Sequence, residues 1–318
     1  MPARYSHVPR VSLSSMMGML IALAASMPWI DCVHAHEVAI LQSAEVAAYR
    51  QAIDAFQAHL LSQAGLTVTT YNLQGSIERG RKLGQKLRAS DVSVVLAVGT
   101  KAAIAAKLEL VDIPVIYCMV LYPERYALTA PNMTGIQLHI PPIRQFALIK
   151  KLIPHIQKIG VVFDPDRTAH LIQQAQQGTA AQGLTLIQRS VSSQIEVPST
   201  VRALLAAIDA LWLVPDSTVL SEDSFNFLLK ATLDAKVPLI GFSPELARSG
   251  ALLSIYVDYT DVGKQAAELA NRILRGSPIP TQALLPLQHV RYAINQKIAD
   301  YLGIPIPART RLEADHVF

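Results

Sequence analysis

The chain has 318 residues, 51% of them hydrophobic and 16% charged, with a formal net charge of +4. That length and apolar content supply material for two ordinary domains with buried cores, which excludes a disordered chain. Lys and Arg are nowhere dense enough for a nucleic-acid surface, and beyond the N-terminus no apolar run reaches the ~18 residues of a membrane span, so neither nucleic-acid binding nor stable membrane insertion is expected.

Residues 1–35 read as an export signal. Arg4 and Arg10 precede the apolar stretch Val11–Met27, and Val33-His34-Ala35 has the small-x-small form of a cleavage site, so cleavage after Ala35 and a periplasmic location are expected. Asp31 stands where a small residue would precede a lipidated cysteine at Cys32, so no lipid anchor is expected. Loss of Arg4, Arg10 and Asp31 removes two cations and one anion, and the net charge falls from +4 to +3. Cys118 is then the one remaining cysteine, which excludes an internal disulfide, and its apolar neighbours predict burial.

After the signal, short apolar runs alternate with longer helical patterns, the signature of parallel sheets flanked by helices. Glu37–Leu41, Thr67–Tyr71, Val92–Val98 and Val115–Met119 read as strands, with helices near Ala47–Gln63, Ser76–Arg88 and Lys101–Leu108. Around Pro131–Pro142 the rhythm breaks, because the short run Met133–Leu138 is bracketed by prolines before a new helix begins, and the chain is expected to cross between lobes there. A second series follows, with the helix Ile143–Ile153 and strands at Ile159–Phe163, Thr185–Arg189, Ala210–Val214, Pro238–Phe242 and Leu252–Val257. Helices near Thr168–Gln182, Pro198–Ala207 and Ser221–Ala235 fill its gaps. Phe225, Leu228, Leu229 and Thr232 share one helical face, as do Val262, Ala266, Leu269 and Ile273, and both faces are expected in the core. A last strand, Gln288–Ala293, and a short helix, Asn295–Leu302, precede a Pro-rich tail. The fold class is therefore α/β, two doubly wound parallel-sheet lobes with a ligand cleft between their C-terminal strand edges.

No catalytic set stands out. Asp164-Pro165-Asp166 has turn chemistry and Glu222-Asp223 sits in a first helical turn, where acids are favoured anyway. The histidines are scattered without metal-ligand spacing, and there is no nucleophile elbow, P-loop or glycine-rich dinucleotide turn, so no metal and no cofactor are expected.

The stretch Val94–Ala106 carries the most chemistry. A β-branched strand stops at Gly99-Thr100 and an Ala-rich helix starts at once, which leaves the amides of Thr100, Lys101 and Ala102 at the positive end of a helix dipole. That joint is a seat for a small anion. Lys101 opposes the dipole by roughly 0.3–1 kcal/mol, and either an anionic ligand relieves the conflict or the side chain points into solvent. In the second lobe Asp216 follows one strand and Asp258 another, so either carboxylate receives a ligand ammonium or serves as a cap or turn. Tyr49, Tyr117, Tyr256 and Tyr259 lie near the same edges and offer flat apolar walls, or belong to the core.

With these residues in place, the chain resembles the family of ABC-transporter substrate-binding proteins whose characterised members bind tryptophan and other aromatic amino acids. The resemblance runs through LAVGTKAAIAAK, DIPVIYCMV and NMTGIQLHIPPIRQFALIKKLIPHIQKIGVVFDP, and resumes at DALWLVPDSTVLSEDSFNFLLKATLDAKVPLIGFSPELARSGALLSIYVDYTDVGKQAAELANRILRGSPI. It implies a type I periplasmic-binding fold, with chain crossings and closure on ligand. The lobes are expected at 36–135 with 259–280 and at 136–258 with 281–302, followed by a tail at 303–318. Carried over by position, the resemblance supports Gly99, Thr100, Lys101 and Ala102 as a cradle loop and Asp216, Ser217, Phe242, Ser243 and Asp258 as cleft or hinge elements, and Ser43, Glu45 and Tyr117 at the first-lobe loops complete the expected ligand-binding set. The chain departs from the family at Gln42–Val46, at Lys101, where proline is frequent, and at Val120-Leu121-Tyr122-Pro123, which lacks the usual glycine-aspartate. The implied function is non-enzymatic capture of a small polar solute, an amino acid and in the family often an aromatic one, for an inner-membrane ABC permease. A periplasmic sensor or scaffold that passes a signal to a membrane receptor is the alternative.

Overall fold

The computed structural model describes residues 36–60 and 66–318, the side chains of residues 222 and 223 apart. The expected export signal and the end of the expected first helix lie outside the described residues. Among those residues, no helix is long and apolar enough to cross a membrane.

The first lobe is built from β1 (His36–Gln42), α1 (Ala47–Leu60), β2 (Leu66–Asn72), α2 (Ile77–Arg88), β3 (Val92–Val98), α3 (Thr100–Glu109), β4 (Val115–Cys118) and β5 (Met133–Ile136). After the crossing at 137–141 come α4 (Pro142–Leu152), β6 (Lys158–Phe163), α5 (Pro165–Ala181), β7 (Thr185–Ser190), α6 (Val197–Leu205) and β8 (Ala210–Trp212). The second lobe continues through α7 (Glu222–Asp234), β9 (Leu239–Gly241), α8 (Pro244–Ser249) and β10 (Leu253–Tyr256). The chain then returns to the first lobe as α9 (Tyr259–Leu274) and β11 (Leu284–Leu285). It ends on the second with β12 (Arg291–Ile294), α10 (Gln296–Leu302), α11 (Ala308–Glu313) and β13 (His316–Val317).

Two sheets result, in the strand orders β11-β5-β4-β3-β1-β2 and β13-β12-β10-β9-β8-β6-β7. Every pairing in the first is parallel, and the second has one antiparallel pair, β10 with β12. Parallel strands need both faces covered, which is why their sequences read as continuous apolar runs. Val94, Leu96 and Val98 of β3 pack on one side of the first sheet and Val95 and Ala97 on the other, and all five are completely buried. The two amphipathic faces behave as their spacing dictates: Leu228 and Thr232 of α7, and Val262, Ala266 and Leu269 of α9, are buried. Cys118 is a buried free thiol whose pKa burial pushes up to about 12.

Helix ends follow local chemistry. Ser76, Asp164, Ser221, Ser243, Asp258 and Asn295 each cap a helix by accepting from a backbone amide of its first turn. Helix α9 lies so close to α1 that a Cβ at Gly263 would sit 2.1 Å from the Ala52 carbonyl oxygen, so that crossing admits only glycine.

The expected lobe limits need correction at the C-terminal end. Leu284–Leu285 pairs with β5, and Gly135 and Gln137 donate to the Ala283 and Leu285 carbonyls at 2.9 and 2.8 Å, so the chain leaves the first sheet after Leu285. A two-residue strand is too short for periodicity to reveal it. The strand expected at Gln288–Ala293 is β12, which begins at Arg291. The tail is part of the second lobe, since β13 pairs with β12 and Asp315 accepts from the Arg291 guanidinium at 2.5 Å and the Tyr292 amide at 2.9 Å.

Candidate functional site

The loop after β1 and the start of α3 meet at the C-terminal edge of the first sheet. The Ser43 amide donates to the Val98 carbonyl at 2.9 Å, and the Ser43 hydroxyl accepts from the Ala102 amide at 2.9 Å. One of the amides expected to cradle an anion is thus already satisfied by Ser43. The Thr100 and Lys101 amides have no acceptor among the described residues. Gly99 has φ 87° and ψ 166°, and a Cβ there would lie 2.7 Å from the Tyr49 hydroxyl oxygen and 2.8 Å from that of Ser43. This backbone conformation is essentially glycine's alone, and the missing side chain lets two hydroxyls close over the turn. Burial holds the Tyr49 phenol above its ordinary pKa, and the nearby Cys118 acts in the same direction. It is therefore a neutral hydrogen-bonding group.

Lys101 is exposed, and its ammonium reaches back to the Gly75 carbonyl at 2.5 Å. It ties the loop after β2 to α3 rather than lying free in solvent. Glu45 lies at the surface, where it pairs with Arg50 at 2.7 Å, and both side chains are more than half exposed. Tyr117 is a core residue, 1% exposed and packed over Gly135, with its hydroxyl donating to the Ala283 carbonyl at 3.0 Å. Burial pushes its pKa up to about 12, and Glu124 adds to the rise. Its position in the middle of β4 turns it onto the sheet face rather than the edge.

In the second lobe Asp216 is 1% exposed. One carboxylate oxygen accepts from the Asp164 amide at 2.8 Å and the Thr168 hydroxyl at 2.7 Å, and the other accepts from the Thr218 amide at 3.0 Å. Asp164 accepts in turn from the Thr218 hydroxyl at 2.6 Å and the Asp166 amide at 3.0 Å. The Thr218 hydroxyl chiefly holds the Asp164 carboxyl below the ordinary carboxylate range, with Asp166 and Arg167 assisting against burial. Asp216 therefore fastens the loop after β6 to the loop after β8 and is closed to a ligand ammonium.

Asp258 caps α9 through Oδ1, which accepts from the Thr260 amide at 2.8 Å. Its Oδ2 has no partner among the described residues, and the residue is half-buried at the crossing from β10. Ser217 is exposed, Phe242 packs against the second-lobe core, and the Ser243 hydroxyl caps α8, accepting from Leu246 at 3.4 Å. The structure therefore gathers Ser43, Gly99, Thr100, Lys101 and Ala102 into one constellation at the edge of the first sheet. Tyr49, expected as a flat apolar wall or a core residue, joins that group through its hydroxyl, which comes from the first turn of α1 to the Gly99 turn.

Sequence spacing also missed a ring cluster. Tyr122, in the loop after β4, lies 4.4 Å from His170 of α5 and 5.9 Å from His139 of the crossing segment, centroid to centroid. These three residues are far apart in the chain, so only the topology unites them. Two concavities lie elsewhere: a groove of about 690 Å³ between α6 and α7, where Arg202 stacks on Phe227, and a polar one of about 430 Å³ beside α9 and Leu285.

Comparison with known proteins adds the following. A family model described as ABC transporter substrate binding protein matches residues 37–318. A tyrosine-binding protein of Clostridioides difficile (strain R20291) is 24% identical over 254 residues, which cover 77% of this chain and 72% of that protein. Among solved structures, an ABC domain in complex with L-Trp from Streptococcus pneumonia is 24% identical, with 89% of this chain and 99% of that one covered and a TM-score of 0.57. A ligand-free, open substrate-binding protein with adhesive properties from Clostridium difficile is 19% identical over the same shares of the two chains, 89% and 99%, with a TM-score of 0.75.

Proposed function

The chain belongs to the ABC transporter substrate-binding protein family, and on that premise we propose that it is the periplasmic receptor of an importer, which captures an amino acid, an aromatic one by preference, between its lobes. The observation that carries this reading is the extent of the family match, which takes in both sheets and every crossing between them. The names of its relatives, a tyrosine-binding protein and a domain in complex with L-Trp, support the choice of solute class.

The first-lobe edge suits a carboxylate. The Thr100 and Lys101 amides supply two donors at the positive end of α3, with the Tyr49 and Ser43 hydroxyls over the same turn. The second anchor is Asp258, whose free oxygen takes the ammonium by a charge-assisted hydrogen bond, in place of Asp216. Lobe closure follows because the solute contacts both edges in the closed state alone, and a ligand shifts an equilibrium only by its differential affinity for the two states. The captured solute then passes to an inner-membrane permease.

The direct test is thermal unfolding of purified residues 36–318 against a panel of amino acids and organic acids. A true solute at 100 times its Kd stabilises by about 2.7 kcal/mol and raises Tm by several degrees. Asp258→Asn weakens that shift. No shift across the panel overturns the reading.

A further inference from the structure

Tyr122, His139 and His170 come from three parts of the chain: the loop leaving the first sheet after β4, the crossing segment, and the second-lobe helix α5. The Tyr122 and His170 rings meet edge to face at 4.4 Å, and the Arg125 guanidinium lies 5.1 Å from the centre of the Tyr122 ring. Tyr122 has φ 53° and ψ 58°, a left-handed conformation that a residue with a side chain keeps only where its surroundings hold it. His170 Nε2 is buried with no hydrogen-bond partner, and His139 Nε2 lies 3.2 Å from Gln137 Nε2. An unpartnered imidazole nitrogen against an aromatic ring is tolerable when neutral and costly when charged.

We propose that Tyr122, His139 and His170 form an inter-lobe clasp that holds while both imidazoles are neutral and releases on acidification, so that acid favours the open receptor. The proposal rests on the reading above that the lobes move relative to each other. Charged neighbours give it its sign. Burial holds both histidines below their ordinary pKa; Arg125 lowers His170 further, His170 lowers His139, and Glu124 opposes the shift at both. Two arginines on the packed helices are committed elsewhere: Arg167 of α5 to Thr218 and Asp164, and Arg144 of α4 to the Leu287 carbonyl. Freed from the clasp, each imidazole regains water and binds its proton more tightly. Clasp stability is therefore full above the ordinary histidine pKa of about 6.5 and is lost as pH falls towards the depressed values.

The test places spin labels at Leu108→Cys and Ile195→Cys, exposed positions on α3 of the first lobe and near α6 of the second, while Cys118 stays buried and unlabelled. Inter-label distances are measured at pH 7.5 and pH 5.0, with circular dichroism to check that the fold persists. At pH 5.0 the short-distance population is expected to fall about threefold or more. The His139→Gln and His170→Gln double variant, which cannot titrate there, is expected to show no change with pH, and Tyr122→Ala to be open at both. An unchanged distance in the parent, or a pH response that survives in the double variant, overturns the clasp. Addition of 1 mM L-tyrosine at pH 7.5 separates the two readings. Closure by the solute without a pH response sinks the clasp alone, whereas a pH response without closure counts against L-tyrosine as the solute and leaves the clasp standing.

Discussion

The C-terminal edges of the two sheets handle polarity in opposite ways. At the first, Gly99 removes a side chain so that the Ser43 and Tyr49 hydroxyls can approach, and two α3 amides have no acceptor among the described residues. At the second, Asp164, Thr168, Asp216 and Thr218 satisfy one another and knit two loops into a rigid unit. The difference teaches that an acid at a strand end is not thereby a ligand group. A buried carboxylate must be fully paired to be stable, and the pairing that stabilises it also closes it to solute. Unused capacity, rather than charge, marks the edge suited to binding.

The sharpest way to break this comparison is Gly99→Ala. A Cβ forced into that φ and against two hydroxyl oxygens is expected to cost about 4 kcal/mol, read as a lower midpoint in urea unfolding. Asp216→Ala comes next. It strands two amides and a hydroxyl in a buried site and is expected to destabilise by about 3 kcal/mol, while the affinity of the folded protein for its solute stays unchanged. A loss of affinity without a loss of stability would reverse the assignment of Asp216.

A smaller effect is expected from acid. Because the folded pKa of Asp164 is depressed, its contribution is complete above the ordinary carboxylate value of about 4 and fades as pH falls through the lower folded value. Urea midpoints measured from pH 5 down to pH 2.5 should fall less steeply in Asp164→Asn than in the parent. Ser43→Ala removes the acceptor for the Ala102 amide and is expected to cost about 1 kcal/mol, together with weaker solute binding. Lys101→Met, which removes an exposed ammonium tied to one carbonyl, is expected to move stability by about 0.5 kcal/mol or less, so any large change in affinity would make Lys101 a ligand contact.

Much of the fold was legible from local pattern. The apolar run of β3, the periodic faces of α7 and α9, and the cap at Asp258 each follow from nearest neighbours along the chain. Elements of two residues were not: β11 and β13 exist because a neighbouring strand offers hydrogen bonds, not because their own residues demand extension. The helix in the tail was hidden in the same way, by a Pro-rich composition that suits a loop as well as a helix start at Pro307.

By itself, the sequence determined the α/β class, the two series of strands, the glycine turn before α3 and the family, since these rest on local propensity and on the order of segments along one chain. Only the tertiary structure decided which polar groups are spent. Asp216 and Asp258 both follow a strand, yet one is sealed by residues about 50 positions upstream and the other keeps a free oxygen. Tyr122, His139 and His170 share no sequence neighbourhood and still meet. Hydrogen bonding and burial are set by what the folded chain brings within about 3 Å, and separation along the sequence carries no record of that distance.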